Sequence, residues 1–171
     1  DAGFNRISFG VESMSDRDFE SIGRVAEVMD TEVAVQAARL AGLTNVNLDL
    51  MYGLPGQSLT AWISTVELVL ALQPSHVSSY ALTIEEGTKL AQDVARNLVM
   101  QPDEELQLEM ESATERLLTQ AGFVQYEISN YARLGALCQH NLLYWTNGDY
   151  LGLGPSAQSY VNGTRFGNVA D

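Results

Sequence analysis

Two carboxylates stand where a bound ligand could use them. Glu12 closes the alternating run Phe4 to Glu12, and Asp49 lies late in the run Asn45 to Tyr52. Thr83 holds a comparable place in the run His76 to Ile84. A carboxylate at a strand end accepts hydrogen bonds from hydroxyl or ammonium groups. In barrels of parallel strands, ligand-binding residues gather at the strands' C-terminal ends. The competing reading is that these are solvated strand ends capping neighbouring helices, and the pattern alone leaves both open. Of the two imidazoles, His76 follows Pro74-Ser75 at a strand start and reads as structural. His140 opens the segment His140-Asn141-Leu142-Leu143-Tyr144, where it could bind a metal or a nearby backbone carbonyl. Cys138 is the only cysteine. It excludes an internal disulfide framework, is too few to hold an iron–sulfur cluster, and fits a reducing, cytoplasmic compartment.

Strands alternating with helices must position these groups. In the first run Ile7, Phe9 and Val11 point one way, and Arg6, Ser8, Gly10 and Glu12 the other. A helix follows, with Asp30 or Thr31 as N-cap, Val33, Ala37 and Leu40 on its apolar face, and Gly42 closing it. In the second run Val46, Leu48 and Leu50 share a face opposite Asn47, Asp49 and Met51. The loop Gly53-Leu54-Pro55-Gly56-Gln57 leads to Ser58, which caps a helix striped by Trp62, Ile63, Val66, Val69 and Leu70. In the third run the phase predicts Tyr80, Leu82 and Ile84 on the apolar side and Ser79, Ala81 and Thr83 on the polar side. Alternating strands and helices imply an α/β fold with a parallel sheet. One bulky apolar face and one small or polar face suits a barrel with a polar ligand inside better than a sheet covered on both sides.

The character changes after residue 101. Pro102-Asp103-Glu104-Glu105 starts a long helix striped by Leu106, Met110, Ala113, Leu117 and Ala121. A strand is expected over Gln125 to Tyr131, then a tail dense in aromatics and glycines. This divides the chain into 1–101, part of a barrel, and 102–171, a connecting helix and the start of an α+β region. The chain opens at Asp1 without Met and reads as an internal piece of a longer protein. Its formal charge of −13 over 171 residues argues against a nucleic-acid surface. No apolar stretch approaches the ~20 residues of a membrane span, which leaves only peripheral membrane contact open.

Six segments together resemble one family. They are Asn5-Arg6-Ile7-Ser8-Phe9-Gly10-Val11-Glu12-Ser13, Gly23-Arg24, Asn47 through Gln57, Tyr126 through Ala132, Cys138 through Trp145, and Asp149-Tyr150-Leu151-Gly152-Leu153-Gly154. In this order they resemble the radical-SAM family of HemW-type heme chaperones and oxygen-independent coproporphyrinogen III oxidases. The resemblance implies a partial (β/α) barrel carrying a [4Fe–4S] cluster and S-adenosylmethionine (SAM). The cluster's cysteine triad would precede residue 1.

The resemblance also implies roles. Glu12, Arg24 and Asp49 map onto SAM contacts, with Glu12 where the family usually has Gln. An aspartate can accept from the ribose hydroxyls or the amino group, and an arginine can grip the SAM carboxylate with two parallel bonds. His140 maps onto a heme-binding motif, with Tyr144 and Trp145 either flanking a porphyrin or filling core. Ala26 and Gln158 stand where His is common in the family. The implied function is heme chaperoning, with transfer of heme to an acceptor protein. The alternative is coproporphyrinogen III oxidation, for which this piece lacks the cluster cysteines; the Cys138-to-Trp145 segment favours the chaperone.

Overall fold

A computed structural model describes residues 3–25, 27–100 and 103–170. Ala26 and Pro102 lie outside them. The elements are β1 (Arg6–Glu12), α1 (Asp16–Ser21), α2 (Val28–Leu40), β2 (Asn45–Tyr52), α3 (Leu59–Ala71), β3 (His76–Ala81), α4 (Lys89–Ala95), α5 (Glu104–Gln120), β4 (Val124–Gln125), β5 (Asn130–Ala132), α6 (Gln139–Trp145), β6 (Gln158–Val161) and β7 (Thr164–Gly167). Residues up to Ala136 form one compact unit and those from Leu137 a second. That division falls later than the change of character at residue 101, because α5 packs on α3 within the first unit.

The first unit holds a sheet in the order β1-β2-β3-β5-β4. β1, β2 and β3 run parallel, as expected. β5 pairs antiparallel with β3, and β4 antiparallel with β5, so the sheet is mixed and does not close into a barrel among the described residues. The single strand expected over Gln125 to Tyr131 is two short strands with a turn between them.

Helix starts follow local chemistry. The Ser58 hydroxyl accepts from the Ala61 N–H at 3.2 Å, and the Asp103 carboxylate from the Glu105 N–H at 2.9 Å. α2 begins earlier than Asp30: Glu27 is its N-cap, and the Asp30 carboxylate accepts from the Glu27 N–H in a capping box. The earlier start brings a different line inward. Val35 and Ala38 are buried, with Val28 and Leu43 packed beside them, while Val33 and Leu40, expected inside, are exposed. Gly42, at φ +85°, ends the helix: its N–H reaches the Arg39 carbonyl and the Leu43 N–H the Ala38 carbonyl.

The core lies between the sheet and α2, α3 and α5. Val46, Leu48, Leu50 and Tyr52 of β2 and Val77 of β3 meet Trp62, Val66 and Val69 of α3 and Met110 and Leu118 of α5. The buried Trp62 indole N–H donates to Thr114 Oγ1 at 2.9 Å and to the Met110 carbonyl at 3.0 Å.

Register corrects the phase of β3. Asn47, Asp49 and Met51 stand beside His76, Ser78 and Tyr80. The polar face of β3 is therefore His76, Ser78 and Tyr80, whereas Val77, Ser79 and Ala81 lie on the helix-covered face. Serines at both Ser78 and Ser79 removed the contrast from which the phase was read, and Leu82 to Ile84 lie beyond the strand.

In the second unit β6 and β7 form an antiparallel hairpin, and Tyr150 bridges to Tyr160. Among the described residues no helix is long and apolar enough to cross a membrane.

Candidate functional site

The face of β1, β2 and β3 opposite the core is where the sequence placed its ligand wall. Glu12 and Arg24 meet there. β1 bulges between Gly10 and Glu12, and Glu12 takes a left-handed φ of 60°. Its carboxylate pairs with the Arg24 guanidinium, which also donates to the Gly10 carbonyl. Both expected contacts are thus occupied by each other. They line a cavity of about 590 Å³ together with Met51, Leu82 and residues of α4 such as Lys89. Lys89 pairs with Asp93, one turn on.

Asp49 stands on the same face, outside the lining of that cavity. It is half-buried. Its Oδ2 accepts from the Ser8 hydroxyl at 2.8 Å and its Oδ1 from the Asn47 amide at 2.7 Å. The Asn47 amide also donates to Ser8 Oγ at 2.7 Å and Ser78 Oγ at 3.1 Å. Tyr80 adjoins both groups: burial raises its pKa, the Asp49 charge raises it further, and Arg24 pulls it back. Thr83 lies past the end of β3, exposed.

His76 is wholly buried and satisfied on both nitrogens. Nδ1 lies 2.6 Å from Asn47 Oδ1 and Nε2 2.8 Å from the Tyr126 hydroxyl. Burial, then the Arg6 charge, lower its pKa to about 4, with Asp49 opposing. Sequence reasoning missed that Ser78, His76 and Tyr126 join Asn47 and Asp49 in one network. Only the pairing of β2 with β3 brings them together.

A second network supports the Gly53-to-Gln57 loop. Gln57 Oε1 accepts from the Gly53 N–H at 2.9 Å, and its amide donates to buried Asp18 at 2.8 Å. The Ser13 hydroxyl donates to the same Asp18 oxygen at 2.6 Å. The loop after β2 is thereby tied to α1.

His140 belongs to the second unit. It is exposed on α6, and its Nε2 lies 2.7 Å from the Tyr144 hydroxyl, one turn along. The partner is a tyrosine rather than a backbone carbonyl. The His140 and Tyr144 rings meet edge-on with centroids 4.9 Å apart, and Tyr150 continues the series at 4.6 Å from Tyr144. Trp145 is 53% exposed and fills no core. Gln158 is exposed at the start of β6, its amide donating to the Ser156 carbonyl at 3.2 Å.

The chemistry of these groups can be set against the expected cofactors. SAM carries a carboxylate, an ammonium, a sulfonium and a ribose diol. Arg24 suits the first, and the carboxylates of Asp49 and Glu12 suit the others. The cavity lies within the roughly 300–1,000 Å³ of small-ligand sites. An exposed imidazole beside a row of aromatic edges suits a planar metalloporphyrin. The cluster is different: among the described residues no group of three or more His, Cys, Asp or Glu could hold a metal ion.

No family model matches the chain. It is 39% identical over 168 residues to the heme chaperone HemW of Mycobacterium tuberculosis (strain H37Rv), covering 98% of this chain and 43% of that protein. It is 42% identical over 160 residues to the heme chaperone HemW of Escherichia coli K12, covering 94% and 41%. Among solved structures it superposes on the radical-SAM coproporphyrinogen III oxidase HemN of Escherichia coli with a TM-score of 0.81 at 24% identity, covering 99% of this chain and 42% of that one. The chain spans less than half the length of these relatives. With the fold of that HemN structure and near-complete alignment to those chaperones at about 40% identity, the chain is similar, over that span, to the HemW proteins.

Proposed function

We propose that this chain is part of a radical-SAM heme chaperone, in which its first unit supplies one wall of the SAM site and its second unit a heme-binding histidine. The complete protein would bind SAM, a [4Fe–4S] cluster and heme, and pass heme to an acceptor protein. The observation that carries the reading is the polar face of three parallel strands, where half-buried Asp49 is held by Ser8 and Asn47 and keeps lone pairs that can accept from a ligand. Asp49 would accept from the ribose hydroxyls or the ammonium. Arg24 would clamp the carboxylate once Glu12 yields it. SAM, when bound with the cluster, supplies the radical or electrophilic chemistry of the family. The cluster's ligands come from outside the described residues, and no step is assigned to it. His140 would offer Nε2 to heme iron, with Tyr144 released from it. A reducing compartment suits both the cluster and the lone thiol of Cys138.

Heme titration of the full-length protein tests this. Wild type is expected to show a Soret band that shifts and weakens in His140→Ala. An unchanged band in the variant would sink the ligand assignment. Anaerobic decarboxylation of coproporphyrinogen III by the same protein would overturn chaperoning in favour of the oxidase.

A further inference from the structure

Four side chains from three places in the first unit, β2, β3 and the turn between β4 and β5, form one chain of hydrogen bonds, and its direction can be deduced. Asp49 carries a carboxylate that only accepts, so the atom of Asn47 facing it must be the amide nitrogen. Asn47 Nδ2 lies 2.7 Å from Asp49 Oδ1. Asn47 Oδ1 then faces His76 Nδ1 at 2.6 Å, and an amide oxygen can only accept. Nδ1 of His76 therefore bears the proton. The ring is buried and held neutral, its pKa lowered to about 4 chiefly by burial. In a neutral ring with Nδ1 protonated, Nε2 is an acceptor. Its partner at 2.8 Å is the Tyr126 hydroxyl, which must donate. The Ser8 hydroxyl completes the set by donating to Asp49 Oδ2 at 2.8 Å.

We infer that His76 and Tyr126 are positioning residues for the Asp49 carboxylate, holding it through Asn47. Every donor in the series points toward Asp49: Tyr126 to His76, His76 to Asn47, Asn47 to Asp49. Here the tautomer of one buried ring fixes the orientation of an amide, and the amide fixes the carboxylate. Tyr126 lies between β4 and β5, the antiparallel strands added beside β3, so these strands are tied to the ligand face as well as to the core. The inference rests on the reading of Asp49 as a SAM contact, and the two can fail separately.

The test uses the full-length protein with its cluster, in two measurements. Nitrogen-15 histidine spectra, with the His76 signal assigned by its loss in His76→Gln, report the tautomer. SAM affinity is measured by calorimetry for wild type, Asp49→Asn, His76→Gln and Tyr126→Phe. The expected result is a protonated Nδ1 in wild type and a disturbed tautomer in Tyr126→Phe. SAM binding should weaken about three- to tenfold in Tyr126→Phe, the scale of one net hydrogen bond, and more in Asp49→Asn. Tyr126→Phe removes one hydroxyl from a partly buried ring and stays interpretable if His76→Gln does not fold. A protonated Nε2 in wild type overturns the inference. So does unchanged affinity in Tyr126→Phe alongside lost affinity in Asp49→Asn. Unchanged affinity in Asp49→Asn overturns the SAM reading and leaves the tautomer to decide the hydrogen-bond order on its own.

Discussion

Glu12 occupies a backbone conformation that a β-carbon disfavours, at φ 60°, on a bulge that turns its carboxylate onto Arg24. The pair keeps the arginine engaged, so a ligand carboxylate must compete with Glu12 for it. Replacing Glu12 with Gln removes the competing charge and leaves the shape. Glu12→Gln in the full-length protein is expected to tighten SAM binding by about two- to fivefold, the worth of a partly exposed ion pair, as read by calorimetry. Weaker binding would mean that the carboxylate serves the ligand directly. His76 gives a second expectation at this scale. In the unfolded chain its ring takes up a proton near 6.5, whereas in the folded protein it stays neutral down to about 4. Between those values the unfolded state binds more protons. The stabilisation is complete above 6.5 and is lost as the pH falls toward 4, up to about 3 kcal/mol. Thermal melts at about pH 7 and about pH 5 should differ more for wild type than for His76→Gln.

The packing of α3 on α5 turns on Trp62, which is buried and bonded through its indole N–H to both Thr114 and Met110. Trp62→Phe keeps most of the ring and strands those acceptors. A loss of about 1–3 kcal/mol in urea unfolding is expected. A smaller loss would mean that Thr114, which already donates to the Met110 carbonyl at 2.8 Å, satisfies the pair alone. Elements of this kind were legible in the sequence where their signals were strong. The bounds of β2, the Ser58 cap and the Trp62 stripe follow from alternation, a capping serine and a helical period. The rest was not, for identifiable reasons. α1 is six residues long and carries too little periodicity to announce itself. α2 has apolar residues on two lines, and only the Glu27–Asp30 capping box selects the inner one. β3 has serine at consecutive positions, so its phase came from its neighbour's register. At the candidate site, Asp49 and the strand-end Glu12 were readable as polar breaks in apolar runs. The tie from Asp49 to Tyr126 was not, because it spans residues far apart in sequence.

At the scale of the whole molecule the two ends of the five-stranded sheet differ. At one end β4 is only two residues long and pairs antiparallel, offering almost no free backbone. At the other, β1 is seven residues long and, among the described residues, is paired on one side only. Its outer row of N–H and carbonyl groups is a template for another strand. The net charge of −13 opposes contact between copies, and salt screens that repulsion. Sedimentation of this segment by itself should therefore show self-association that grows as salt is raised, and little in the full-length protein. A segment that stays monomeric at high salt would mean that the β1 edge is shielded. The sheet is thus stoppered on one flank and unfinished on the other. Among the described residues the longer open edge is that of β1, so a strand added there would gain a longer ladder than one added past β4, on the flank of the sheet that carries Ser8 beside Asp49.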